Sequence, residues 1–100
     1  MPNIELHGFE PQLASDVRNV IFGKARRSSL EEELVVTFSD SDPRDWHGRK
    51  SPFMRVFYER EKERRGCLDI LQQVPNARKC FFDVEFVQVA DFCSIPPKTA

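Results

Sequence analysis

The sequence predicts an α+β domain in which two βαβ units share one four-stranded mixed sheet and lay both helices on the same face. Three observations predict it. Stretches 3–8, 33–39, 53–58 and 81–89 combine apolar alternation with β-branched and aromatic residues, as strands do. Stretches 11–25 and 59–74 carry apolar residues at helical spacing. The second half also repeats the first at an offset of 50 residues: Pro2 falls on Pro52, Ile4 on Met54, Leu6 on Val56, Val17 on Cys67, Val20 on Ile70, Ile21 on Leu71, Leu34 on Val84 and Val36 on Phe86. Only the prolines are identical, so the repetition is one of pattern rather than of letters.

The elements follow in order. From Asn3 to Gly8, Ile4 and Leu6 share one face of a strand while Glu5 and His7 share the other, and Gly8 ends it. From Pro11 to about Ala25, Leu13, Val17, Val20 and Ile21 form one helical stripe. Pro11 suits the first turn, where its missing donor would go unpaired anyway. The polar run Arg26-Arg27-Ser28-Ser29 closes the helix. Glu33 to Ser39 makes a second strand, and a strand, a helix of this length and a strand imply a right-handed parallel crossover. Ser39 to Ser51 holds two Ser-Asp pairs, Pro43 and Gly48, and reads as a long loop with Trp46 and His47 in its middle.

Phe53 to Tyr58 is the third strand. Glu59 to Arg65 is an unbroken run of charges of alternating sign, read as the solvated first turns of a helix. Its apolar stripe comes later, at Cys67, Ile70, Leu71 and Val74, before Pro75 stops it. Phe81 to Val89 forms the last strand. Ile95-Pro96-Pro97 cannot continue regular structure, so residues 1–94 form a single domain and 95–100 a loose tail.

One wall of the sheet then receives Ile4, Leu6, Leu34, Val36, Met54, Val56, Val84 and Phe86, an apolar set suited to lie under the helices. The other carries Glu5, His7, Val35, Thr37, Phe53, Arg55, Phe57, Glu85 and Val87. That set is too apolar to leave in water and too charged for a dry core, which suits a subunit interface around a polar opening. Burying Phe53 and Phe57 there contributes roughly 1.5 to 3 kcal/mol each.

Composition narrows the function classes. With 40% hydrophobic and 31% charged residues and a net charge of −1, the chain has no broad cationic field for phosphates, so nucleic acid is not expected. No apolar run approaches the roughly 20 residues of a membrane span, and no signal region opens the chain, which reads as cytoplasmic. Cys67, Cys80 and Cys93 are odd in number and far apart, and neither they nor His7 and His47 stand at metal-ligand spacings. Free thiols and no metal or cofactor are expected.

Pro2 is the candidate for chemistry. If the initiator methionine is trimmed, Pro2 carries a secondary amine at the mouth of a buried strand. A free α-amine titrates near roughly 7.7 to 8.0, and a poorly solvated site lowers that value. A base poised near neutral pH is what proton abstraction beside a carbonyl requires. A proline that merely starts a strand would look the same in sequence.

Met1-Pro2-Asn3-Ile4, the repeated βαβ unit and the chain length resemble the tautomerase superfamily, which includes 4-oxalocrotonate tautomerase and macrophage migration inhibitory factor. Glu33-Leu34-Val35 and Pro52-Phe53-Met54-Arg55-Val56-Phe57 look closest to a small bacterial branch of that superfamily with no assigned activity. The resemblance runs from the first strand to the fourth. It implies a homotrimer whose sheets surround a central channel, with Pro2 as catalytic base in a cofactor-free, isomerase-type proton transfer on a small carbonyl compound.

The family's substrate-holding arginines do not carry over: Gln12 stands at the start of the first helix and Glu33 at the start of the second strand. Positive charge for an enolate then falls to Arg55, or to Arg44, Arg49 or Lys50 in the long loop. Trp46 or Phe57 would wall the pocket, and one of Glu31, Glu32 and Glu33 would activate water, as a carboxylate does in hydrating members. The expected substrate-binding set is Arg55, Trp46, Phe57 and Glu33. Two other readings fit the same pattern: a non-catalytic oligomer that keeps the scaffold, and a ferredoxin-like binding module, which shares the βαββαβ order.

Overall fold

The computed structural model describes residues 2–28, 30, 34–75, 82–90, 93 and 95–98. Its elements are β1 (Asn3–His7), α1 (Pro11–Ala25), β2 (Val35–Ser39), β3 (Phe53–Tyr58), α2 (Glu61–Leu71) and β4 (Asp83–Gln88). The strand order is β2-β1-β3-β4. β1 runs parallel to β2, β3 runs parallel to β4, and the two pairs meet where β1 and β3 lie antiparallel. This is the mixed sheet of two βαβ units that the repeat predicts.

Both helices cover one face. Ile4, Leu6, Met54 and Val56 of the central strands are sealed beneath Ala14, Val17, Ile21 and Ala25 of α1 and Cys67, Ile70 and Leu71 of α2, with Leu30, Leu34 and Val74 filling the ends. Val36, Val84 and Phe86 pack against that core but remain partly open, because β2 and β4 are the edge strands. All eight residues assigned to the apolar wall therefore lie on it. Burying one such side chain stabilises the fold by about 1.5 to 3 kcal/mol, so this wall supplies most of the driving force.

The second strand starts at Val35 rather than at residue 33. The N–H of Leu34 donates to the carbonyl of Leu30 at 2.9 Å, so Leu34 still closes the preceding turn. Glu33 and Phe81, where two strands were expected to begin, lie outside the described residues.

Gly8 ends β1 for two reasons. Its φ is +76°, and a Cβ there would stand 2.7 Å from the Pro43 ring. Only glycine takes that turn and admits that neighbour.

The long loop expected after β2 is present, and it is cross-bonded into an arm: Arg44 and Lys50 bridge antiparallel and Ser51 N–H donates to the Pro43 carbonyl at 3.0 Å. One Asp45 carboxylate oxygen accepts the N–H groups of His47 at 2.8 Å and Arg49 at 2.9 Å, which folds the tip. One expectation is corrected: the run of charges after β3 is not wholly solvated, because Glu63 is 0% exposed. It stands four residues before Cys67, on the stripe that faces the sheet.

Candidate functional site

Pro2 enters the structure as an extension of β1. Its carbonyl accepts the N–H of Val35 at 3.0 Å, so the β1–β2 ladder reaches it. Continuing the registers by one residue sets Pro2 beside Leu34 on one side and Tyr58 on the other. It shares the parity of Ile4 and Leu6, and like them its side chain is fully buried on the helix side of the sheet.

Just past Tyr58 the chain turns into α2, and Glu63 fills that corner. Its Oε1 accepts the N–H of Glu59 at 3.0 Å and the N–H of Arg60 at 2.9 Å, while Oε2 lies 3.7 Å from the Arg60 guanidinium. Burial pushes its carboxyl up, but the two backbone donors, the positive charge of the amino terminus and Arg60 outweigh that and hold it below the usual range. Glu63 is thus an ionised, buried carboxylate at the corner that follows Tyr58, the strand neighbour of Pro2.

The same carboxylate acts one turn further along. Burial, and secondarily the charge of Glu63, push the Cys67 thiol up to about 11. Cys67 is therefore a protonated, inert packing residue at neutral pH. Cys93 is an exposed free thiol, and Cys80 lies outside the described residues.

Among the described residues, the expected substrate-binding set is spread over the protomer. Arg55 and Phe57 sit on the open face of the sheet, across it from Pro2. Arg55 pairs with Glu85 at 3.3 Å, and its guanidinium lies 5.3 Å from the Phe53 ring centre. Phe57, half-buried, stands opposite Asn3. Trp46 is 94% exposed at the tip of the arm and walls nothing within the protomer. Arg44 bonds Asp42 and the Gly48 carbonyl, Arg49 bonds Asp45, and Lys50 bonds Glu10. Gln12 is exposed on α1 and donates to Asp16 at 3.1 Å. Glu33 is outside the described residues. The protomer thus brings none of Arg55, Trp46 and Phe57 to Pro2, and the carboxylate at the corner past its strand neighbour Tyr58 is that of Glu63.

The other end of β1 holds a second polar assembly. His7, only 9% exposed, stacks on Phe53 with ring centres 4.5 Å apart and planes 4° from parallel. Its Nε2 meets Glu5 Oε1 at 2.9 Å and its Nδ1 meets Ser41 Oγ at 2.7 Å. An ionised Glu5 can only accept, so Nε2 carries the proton, and in the neutral ring Nδ1 accepts the Ser41 hydroxyl. These bonds fasten the root of the arm to the sheet.

Glu63 was readable from the 3.6-residue period, since counting back four from Cys67 reaches it. Ser41 was not, because its partner is 34 residues away. Among the described residues no group of three or more His, Cys, Asp or Glu side chains gathers to hold a metal ion, and no helix is long and apolar enough to cross a membrane.

No family model matches the sequence, and no curated protein does. Similarity lies in the fold. A protein of unknown function from Vibrio cholerae O1 superposes with a TM-score of 0.66 at 12% identity, over 92% of this chain and 83% of that one. A domain of unknown function from Sebaldella termitidis gives a TM-score of 0.61 at 14% identity, over 92% and 90% of the two chains. Leishmania major MIF2, of the tautomerase superfamily, gives 0.51 at 14% identity, over 89% of each. The chain has the tautomerase-like fold.

Proposed function

We propose that this chain, folded as the tautomerase superfamily is, works as a cofactor-free isomerase-type protein that moves a proton on a small carbonyl compound through the amine of Pro2, freed by removal of Met1. The observation that carries the reading is the buried Pro2 at the mouth of β1 with the ionised, buried Glu63 in the same corner of the core.

The chemistry follows from that neighbourhood. Burial disfavours the ammonium, and a carboxylate nearby favours it, so the two effects oppose each other. The neutral amine takes a proton from the carbon beside the carbonyl, and the electron pair released moves onto the carbonyl oxygen. The ammonium then returns the proton at the other end of the enolate. Glu63 stabilises the proton while the amine holds it, which favours the abstraction step.

The open face supports an oligomer, with three copies closing their sheets around a channel. Its cross-strand rows are Val35-Asn3-Phe57-Val87, Thr37-Glu5-Arg55-Glu85 and Ser39-His7-Phe53-Asp83. The outer two rows carry the apolar and aromatic residues, and the middle row carries most of the charge, with Asp83 at the end of an outer row. Assembly is also the route by which an Arg55 or Phe57 would reach the Pro2 of another copy.

One observation favours a second reading, a non-catalytic oligomer: within the protomer Arg55 is paired with Glu85 and stands across the sheet from Pro2. A panel of small enol and keto acids separates the two. Turnover that disappears in Pro2→Ala while sedimentation stays unchanged supports the enzyme. Equal turnover by Pro2→Ala, or none by the parent lacking Met1, refutes it.

A further inference from the structure

We propose that Ser41, His7 and Glu5 form a nucleophilic relay at the end of β1, in which Ser41 takes the acyl group of a neutral, activated ester. The inference stands apart from Pro2, which opens the other end of the strand.

The sheet register assembles the three residues. Glu5 and His7 are two apart in β1, so both side chains stand on the open face. His7 is paired with Ser39, and Ser41 follows just beyond the end of β2. The Ser39 hydroxyl oxygen accepts the N–H of Ser41 at 3.2 Å, a turn that bends the chain as it leaves the sheet. The Ser41 hydroxyl then lies 2.7 Å from His7 Nδ1, while Glu5 Oε1 lies 2.9 Å from Nε2. Opposite ring nitrogens thus join a hydroxyl and a carboxylate, the arrangement by which an imidazole activates a serine.

Burial falls off in the direction the chemistry needs. His7 is buried and stacked on Phe53, Glu5 is half-buried behind it, and Ser41 is exposed in front. Arg55, which faces Glu5 in the register, is bonded to Glu85, so Glu5 stays turned toward the imidazole. With the Nε2 proton held there, the Nδ1 lone pair points at the Ser41 hydroxyl. Ser41 itself lies outside the cross-strand rows that the open face offers to other copies.

The reaction balances with these groups and water. His7 Nδ1 takes the hydroxyl proton as Ser41 Oγ bonds the ester carbonyl carbon, and the carbonyl π pair moves onto its oxygen. That pair returns as the bond to the leaving oxygen breaks, and the imidazolium gives its proton to the departing group. Water repeats the sequence on the acyl-serine, with His7 again the base, and releases the acid and free Ser41. Glu5 holds the ring in place and offsets its positive charge in between.

Charge selects the substrate. Asp40 and Asp42 flank Ser41 in the chain, and Arg44 offsets Asp42 at 3.1 Å. The negative charge of Asp40 and Glu5 repels an anionic substrate and opposes charge growing on the carbonyl oxygen. A neutral ester whose leaving group departs as a stable phenolate meets both conditions.

The full chain is treated with a fluorophosphonate and with p-nitrophenyl acetate, and peptide masses locate the adducts. We expect both groups on Ser41, with ester cleavage lost in Ser41→Ala. His7→Gln should slow labelling of Ser41 about 100-fold. Glu5→Gln leaves an acceptor beside Nε2 and should lower kcat for the ester with KM unchanged, a split that a merely structural Glu5 would not produce. Sedimentation and circular dichroism confirm that each variant is folded, and Glu5→Gln carries the test if His7→Gln is not. A folded parent that takes no adduct on Ser41 overturns the inference. So does equally fast labelling of Ser41 in the parent and in the folded variants, which would make it an ordinary surface hydroxyl.

Discussion

The two βαβ halves differ most at one pair of equivalent positions. Leu13 of α1 and Glu63 of α2 occupy the same place in the repeat, 50 residues apart, yet one is a half-buried leucine and the other a carboxylate with 0% exposure. The prolines differ in parallel. Pro52 follows Ser51, so its nitrogen is an amide that cannot titrate, whereas Pro2 becomes an amine once Met1 is gone. The duplicated scaffold supplies two similar strand mouths, and the polar substitution stands at the one where the chain begins. The repeat accounts for the fold, and the break in the repeat marks the candidate site.

The largest expected effect comes from removing that break. Glu63→Ala strips the acceptor from two buried N–H groups, those of Glu59 and Arg60, and should destabilise the fold by about 2 to 4 kcal/mol. A lower urea midpoint with an unchanged slope would confirm this. Glu63→Leu, which copies Leu13, should lose the same caps and recover part of the loss through packing. A Glu63→Leu protein as stable as the parent would mean that the carboxylate serves no structural purpose.

Next is Gly8→Ala, which forces a side chain into a left-handed turn and against Pro43. It should cost about 1 to 2 kcal/mol, while alanine at Gly23, where a Cβ meets nothing within 4 Å, should cost nothing and gain helix propensity.

The acid limb of stability gives a smaller, signed effect. The folded-state carboxyl of Glu63 lies below its ordinary value, so its contribution is complete above the unfolded value of roughly 4.3 and is lost as pH falls through the folded value. Glu63→Gln keeps an acceptor for the two N–H groups but cannot titrate. Its stability should fall less steeply below that pH than the parent's, as unfolding curves at a series of pH values would show.

The smallest effect is on thiol reactivity. With Cys67 pushed up to about 11, a thiol reagent at neutral pH should label exposed Cys93 in the native protein and reach Cys67 only on unfolding. Rapid native labelling of Cys67 would break the account of that corner.

Which features the sequence revealed follows from the range of the forces involved. Alternation along a strand and the helical stripe are local, so the apolar wall, both helices and the pairing of the two halves were legible. Glu63 was misassigned because a run of mixed charges was weighed as composition, whereas its burial follows from its angular place around α2. The long loop was legible from its Ser-Asp pairs, Pro43 and Gly48, but its internal bonding was not, because aspartate and glycine mark a turn without showing that one carboxylate will gather several donors, as Asp45 does. His7 was placed on the open face, where it is, but its burial depends on Phe53 and Ser41, which only the sheet register brings to it. Pro2 was legible as a candidate, and Glu63 only through the 3.6-residue period that places it on the stripe of Cys67.

The most direct test of the central claim is a pH titration of the Pro2 nitrogen resonance in ¹⁵N-proline-labelled protein lacking Met1, beside the same titration in Glu63→Gln. The account predicts one titrating proline nitrogen, whose midpoint falls when the Glu63 charge is removed, because the ammonium loses the carboxylate that favours it. The same midpoint in both proteins would contradict the pairing of Pro2 with Glu63, and no titrating proline nitrogen would contradict the site altogether.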